Sequence, residues 1–256
     1  MSKDKDDNKE IQKVINLSPE KLAENATLAK KGLRDLGILP TEQELLKKIR
    51  ENYTDIYLVP EWRHECIKLC EEILSTNKNQ YFTLYIYGIC LYLNGRATAS
   101  VSNYEEAINC ASKLLNEWHS DYYDLILKLR ADSFYGMENY KDALQDYMQL
   151  ISLDDPGEPY HQILANMADC YHHLGDTKNA NLYIDEAIRM SDNNEYHILK
   201  KAEFLNDDEA YNATSKELKI WDEDNMEYMA KLDSFLILEE AIYTNPIKKL
   251  EKYLRP

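Results

Sequence analysis

The stretch from Asp121 to Asp192 carries one apolar pattern twice. Leu127 and Leu164 open the two copies, Ala131 and Ala168 follow four residues on, and Phe134 and Tyr171 stand at the next turn. After a short polar break come Ala143 and Ala180, then Tyr147 and Ile184, then Leu150 and Ala187. Ala131 and Ala168 are 37 positions apart; 34 positions further lies Ala202, flanked by Ile198 and Leu205 at the same offsets. Apolar residues recurring every three or four positions describe helices with one buried face. A unit of this length, repeated along a chain, describes helix pairs stacked in a row, each packing only on its neighbours.

The small residues are as informative as the large ones. Two antiparallel helices approach to ~8–10 Å only where the side chains at their crossing are small. Ala131 with Ala143, and Ala168 with Ala180, supply such contacts, while Leu127, Phe134, Leu164 and Tyr171 fill the space around them.

These positions resemble the tetratricopeptide repeat. Leu164, Ala168, Tyr171, Gly175, Ala180 and Ala187 carry the resemblance in one copy, and Tyr140, Ala143, Tyr147 and Pro156 in the copy before. It extends over roughly Gln80–Leu205. It implies an all-α fold: a right-handed superhelix of about four helix pairs, with extra N-terminal helices and a C-terminal capping helix. It also implies a protein partner held on the concave side, formed by the first helix of each pair. Carried onto matching residues, that groove comprises Phe82, Tyr85, Ile89 and Tyr92 in the first repeat. Leu125, Lys128, Asp132 and Tyr135 follow in the second, and Gln162, Ala165, Asn166, Asp169 and His172 in the third. Tyr196, Lys200 and Glu203 complete it. One end is thus aromatic and apolar, suited to apolar anchors of an extended or helical peptide, and the other is polar. The N-terminal helices are the alternative occupant of part of this surface.

The flanks divide the chain further. Residues 1–10 are polar and mixed in charge, which predicts a disordered tail. Residues 11–79 predict three helices. Ser18-Pro19-Glu20 is an N-cap signature for the first, which carries Leu22, Ala26, Ala29, Leu33 and Leu36. Thr41–Glu44 is a capping box for the second, with Leu45, Ile49, Tyr53 and Ile56 inward. Pro60 starts the third, with Trp62, Cys66, Leu69, Cys70 and Ile73 inward. The second and third form a divergent repeat, whereas the first is either a cap or a dimerisation element. Residues 80–221 hold the repeats. Gly88 and Ala131 lie 43 positions apart, a surplus that predicts a longer loop around Arg96–Asn103, either plain or a partner-contacting element. Residues 222–256 are read as capping helices, with Met226, Met229, Leu232, Phe235, Leu236 and Ile242 on one face and Pro246 before a last short helix.

Charge narrows the partner. With 46 acidic and 30 basic residues the net charge is −16. A phosphate backbone is bound by clustered Lys and Arg, so nucleic acid and anionic membrane are disfavoured. The acidity either keeps the protein soluble or attracts a basic partner. The longest apolar run, Leu84–Leu93, is about half the ~20 residues that a membrane span needs. The start has no apolar core for a signal peptide, and five cysteines at apolar helical positions read as reduced core thiols of a cytoplasmic protein.

No phosphate-binding glycine loop, zinc-protease helix or nucleophile elbow occurs. Cys66 and Cys70 beside His64 lack a second ligand pair, and in Cys170-Tyr171-His172-His173 successive side chains point apart on a helix. Neither a metal nor a cofactor is expected, and the chain is read as non-enzymatic: a scaffold, adaptor or chaperone. The basic residues with which some repeat proteins clamp chaperone tails are missing, since Tyr85, Ile89, Leu129, Gln162 and Asn166 occupy those positions. Asp121–Ala187 is also similar to the class II chaperones of type III secretion translocators. Two alternatives from other classes are a subunit of a stable assembly and a metal-dependent enzyme.

Overall fold

The computed structural model describes residues 43–118, 122–153, 160–191 and 195–205. Among them are nine α-helices and no strand: α1 Gln43–Leu58, α2 Pro60–Thr76, α3 Tyr81–Thr98, α4 Val101–Glu117, α5 Tyr123–Gly136, α6 Tyr140–Ile151, α7 Tyr160–His173, α8 Thr177–Met190 and α9 Glu195–Phe204. Each helix packs on its neighbours in sequence, and α3 also touches α1 and α5. Four antiparallel pairs stack in a row, and α9 packs on α8 beyond them. The readings for residues 1–10, the first N-terminal helix, and the C-terminal cap over 222–256 lie outside the described residues, as does the second half of the fourth repeat.

The repeat pattern becomes packing at the alanines. Ala107, Ala111, Ala131, Ala143, Ala168 and Ala180 are all wholly buried. In the first recognisable pair the equivalent small residue is Gly88. A Cβ there would lie 3.0 Å from Leu129 Cδ2 and 3.3 Å from the Cys110 Cβ, so α3, α4 and α5 meet at a contact sized for hydrogen. The large apolar residues fill two interiors that divide within α5. Leu125, Ile126 and Leu129 belong to the side shared with α1–α4, and Leu127 and Ala131 to the side shared with α6–α9.

The divergent first pair follows its apolar periodicity. Leu45, Ile49, Tyr53 and Ile56 of α1 are buried, as are Cys66 and Cys70 of α2. Pro60 opens α2 from an extended Val59; proline suits that position because the first helical N–H has no intrahelical partner anyway. All five cysteines are free and buried.

The longer loop expected around Arg96–Asn103 is corrected. The surplus residues extend the helices instead: α3 runs 18 residues and α4 runs 17, against 14 and 12 for α5 and α6. Only Ala99 and Ser100 join α3 to α4, and Ala99 makes the reversal in the left-handed region, at φ 52° and ψ 34°. The small residues of that stretch are helix-forming alanine and threonine up to the break, which is why their composition alone resembled a loop.

Ala143 is the critical test of the packing account. Ala143→Leu should cost about 1–3 kcal/mol by overpacking the α5–α6 crossing, seen as a lower midpoint in thermal unfolding. An unchanged melt would remove the alanines from their assigned role.

Candidate functional site

A cavity of about 220 Å³ opens between the first helices of consecutive pairs. Tyr92 and Arg96 reach it from α3, Lys128, Asp132, Tyr135 and Gly136 from α5, Gln162, Ala165 and Asn166 from α7, and His197 and Lys200 from α9. One residue, Tyr104, comes from a second helix, α4. Its ring occupies space that a side chain at position 136 would claim: a Cβ on Gly136 would sit 2.5 Å from the Tyr104 ring. The ring also meets Tyr92, with centroids 6.2 Å apart. Gly136 thus admits an aromatic residue to the wall from the neighbouring layer.

Along the cavity wall three helices are tied by one polar chain, of which Lys128, Asp132 and Asn166 line the cavity. Lys128 Nζ lies 2.6 Å from Asp132 Oδ2, one turn along α5. The Tyr147 hydroxyl of α6 donates to Asp132 Oδ1 at 2.6 Å, and Asn166 Nδ2 of α7 donates to that hydroxyl at 3.2 Å. Lys128 is 8% exposed and Asp132 5%, so the pair interacts largely out of water. Burial, reinforced by the Asp132 carboxylate, pushes the Tyr147 phenol well above its usual range and keeps it a donor.

A second node joins the next helices. Asp169 of α7 accepts from the Tyr135 hydroxyl of α5 and lies 3.3 Å from Lys200 Nζ of α9. His161 Nδ1 faces His197 Nε2 at 3.0 Å, again linking α7 to α9. His197 is 1% exposed. Burial first, then the neighbouring His161 and Lys200, lower its pKa from 6.5 to about 4. Neutral imidazoles suit this contact, because one nitrogen must donate and the other accept.

The expected groove residues divide into two groups. Tyr92, Lys128, Asp132, Tyr135, Asn166 and Lys200 line the cavity, together with Gln162 and Ala165. Asp169 is bonded just behind the wall. His172 stacks on Phe204, with ring centroids 4.6 Å apart, and Glu203 is exposed outside the lining. The placement of Phe82, Tyr85 and Ile89 on an open groove is corrected: they are 1%, 1% and 3% exposed and belong to the core around α1–α4. Tyr85 packs its ring 6.1 Å from that of Tyr122. The reason is that α3 has no charged residue from Tyr81 to Gly95, and a helix apolar on all sides is buried on all sides. Tyr104, Gly136 and His197 were missed, and Arg96 entered only as part of the Arg96–Asn103 stretch. Arg96 had a signal, as the first charge after that uncharged run, whereas Tyr104 lies on a helix that the groove rule does not consider.

Stacked helix pairs with a polar cavity on their first helices define a helical-repeat protein. The tetratricopeptide repeat family model matches residues 161–194, which span nearly all of α7 and the whole of α8. That segment is similar to a tetratricopeptide repeat, and the pairs α3–α4 and α5–α6 before it are stacked in the same manner. No curated protein matches the chain. Among the described residues no helix is long and apolar enough to cross a membrane, and no group of three or more His, Cys, Asp or Glu side chains could hold a metal ion.

Two measurements test this description. Tyr147→Phe removes the donor to buried Asp132 Oδ1 and should cost about 1–3 kcal/mol, read from the denaturant midpoint. The depressed pKa of His197 means that its neutral form is the folded form. Its contribution is whole above about pH 6.5 and is lost as pH falls toward about 4, by at most ~3 kcal/mol. Unfolding free energies at pH 7 and 4.5 should therefore diverge less in His197→Asn than in the parent protein.

Proposed function

We propose that this chain is a non-enzymatic scaffold, adaptor or chaperone of the cytoplasm that holds a segment of a protein partner along α3, α5, α7 and α9. The observation carrying this reading is the cavity on the first helices of successive pairs, where a tetratricopeptide array presents its inner surface. A row of rigid helices supplies a binding surface with little ordering left to do on association.

The chemistry of the grip differs from an apolar trough. With Phe82, Tyr85 and Ile89 withdrawn into the core, Tyr92 remains as the aromatic contact of the expected N-terminal set, beside Tyr104 and Tyr135. Lys128, Asp132, Asn166 and Lys200 then orient the partner through hydrogen bonds and charge. Polar groups held by one another beforehand discriminate strongly, since a partner that leaves one unmatched loses the desolvation cost of that group.

A second reading, a subunit of a stable assembly, is favoured by exposed apolar residues on second helices: Met148 at 48% and Leu182 at 61%. A native purification with mass spectrometry distinguishes the two. Gln162→Arg, placed in the cavity wall, should release the co-purifying protein by about tenfold or more in affinity while helicity by circular dichroism is unchanged. Leu182→Glu should leave that partner bound. The reverse pattern would favour the outer face, and retention in both variants would exclude the groove.

A further inference from the structure

The buried charges around the cavity are already matched. Lys128 Nζ lies 2.6 Å from Asp132 Oδ2 and Lys200 Nζ 3.3 Å from Asp169 Oδ2, and both carboxylates are buried. Arg96 is exposed to solvent, where its charge is hydrated. A charged group entering here would give up its own hydration and find each buried counter-charge committed, whereas a neutral side chain loses far less.

The uncharged part of the wall is aromatic. Tyr92 comes from α3, Tyr104 from α4 and Tyr135 from α5. The Tyr104 ring stands in a slot between two glycines: a Cβ on Gly95 would lie 2.9 Å from it, and one on Gly136 2.5 Å. Tyr92 tilts against that ring at 51°. A further ring continues such an arrangement, because aromatic pairs attract edge to face at centroid separations of about 4.5–7 Å. The space, about 220 Å³, falls below the roughly 300–1,000 Å³ of pockets that take whole drug-sized molecules, and it suits one side chain.

One polar atom adds a direction. Tyr147 gives its hydroxyl proton to Asp132, so the Asn166 atom facing that hydroxyl must be the Nδ2 donor. The amide orientation of this cavity-lining residue is thereby fixed, and among the described residues nothing donates to its Oδ1. We propose that the cavity receives a neutral aromatic side chain of the protein partner that carries one hydrogen-bond donor, a tyrosine or a tryptophan. Its ring packs among Tyr92, Tyr104 and Tyr135, and its O–H or N–H donates to Asn166 Oδ1. This rests on the reading that the groove holds a protein partner.

The full-length chain is titrated calorimetrically with the N-acetyl amides of tyrosine, tryptophan, phenylalanine, leucine and phosphotyrosine. The expected result is saturable one-to-one binding of the tyrosine or the tryptophan probe, the tighter of the two naming the residue. That probe should bind about threefold or more tighter than phenylalanine, which lacks the donor, and than leucine, which lacks the ring. It should bind about tenfold or more tighter than phosphotyrosine, whose charge finds no uncommitted partner. Asn166→Ala should erase the margin over phenylalanine, a ratio that a general loss of rigidity would not move. Gly136→Ala, whose methyl group displaces the Tyr104 ring, should weaken the probe about tenfold; the Asn166→Ala ratio decides if that variant does not fold. Equal binding of phenylalanine, leucine or phosphotyrosine, no saturable binding, or a margin indifferent to Asn166→Ala would each overturn the proposal. Absent probe binding while Gln162→Arg still releases the partner removes this inference alone. Probe binding with the partner retained by Gln162→Arg removes the scaffold reading instead.

Discussion

Helix backbones stack closely only where nothing larger than a methyl group stands between them, and that spacing governs both halves of this molecule. Ala131 and Ala143 bring α5 against α6. The same closeness lets the Tyr147 hydroxyl on α6 reach Asp132 on α5 at 2.6 Å. A wider crossing would separate the two helices by more than a hydrogen bond can span. The polar chain along the cavity wall is therefore a consequence of the alanine contact, and the apolar and polar architectures are one design at two depths.

Burying Lys128 beside Asp132, one turn along the same helix, is not a cheap way to add stability. Desolvation of both charges offsets most of their attraction, and a well-packed apolar pair would serve stability as well or better. What the pair provides is fixed direction. Each oxygen of Asp132 has its donor, Tyr147 is held by Asn166, and Asp169 is held by Tyr135 and Lys200. Groups committed in this way cannot collapse onto one another when the cavity is empty, so the wall keeps its shape for a ligand.

The helices were legible in the sequence because their signals are local. Period-3.6 apolar positions, alanines at fixed offsets and Pro60 at a helix start each depend on neighbours a few residues away. The errors arose where geometry is set at a distance. The surplus between Gly88 and Ala131 is the same number of residues whether it lies in a loop or in longer helices, and repeat spacing cannot distinguish them. The groove face of α3 was carried over by register from the later repeats, but register ignores what else packs on a helix. The uncharged run from Tyr81 to Gly95 held the contrary information and outweighs register, because every face of such a helix seeks cover. Pairings such as His161 with His197, 36 positions apart, carry no sequence signal at all; they follow from the repeat placing equivalent first helices side by side.

That placement also brings together charges that lie far apart along the chain. Arg96 on α3, Lys128 on α5 and Lys200 on α9 are unremarkable in any linear window, and acids outnumber lysines from Asp192 to Glu240. Stacking brings them to one cavity together with buried Asp132 and Asp169, each of which pairs with one of the two lysines. At about 8 Å, the screening length in physiological salt is short compared with the extent of the array. A group in the cavity therefore responds to the paired charges within about a screening length of it, whereas an approaching chain responds first to the net negative field.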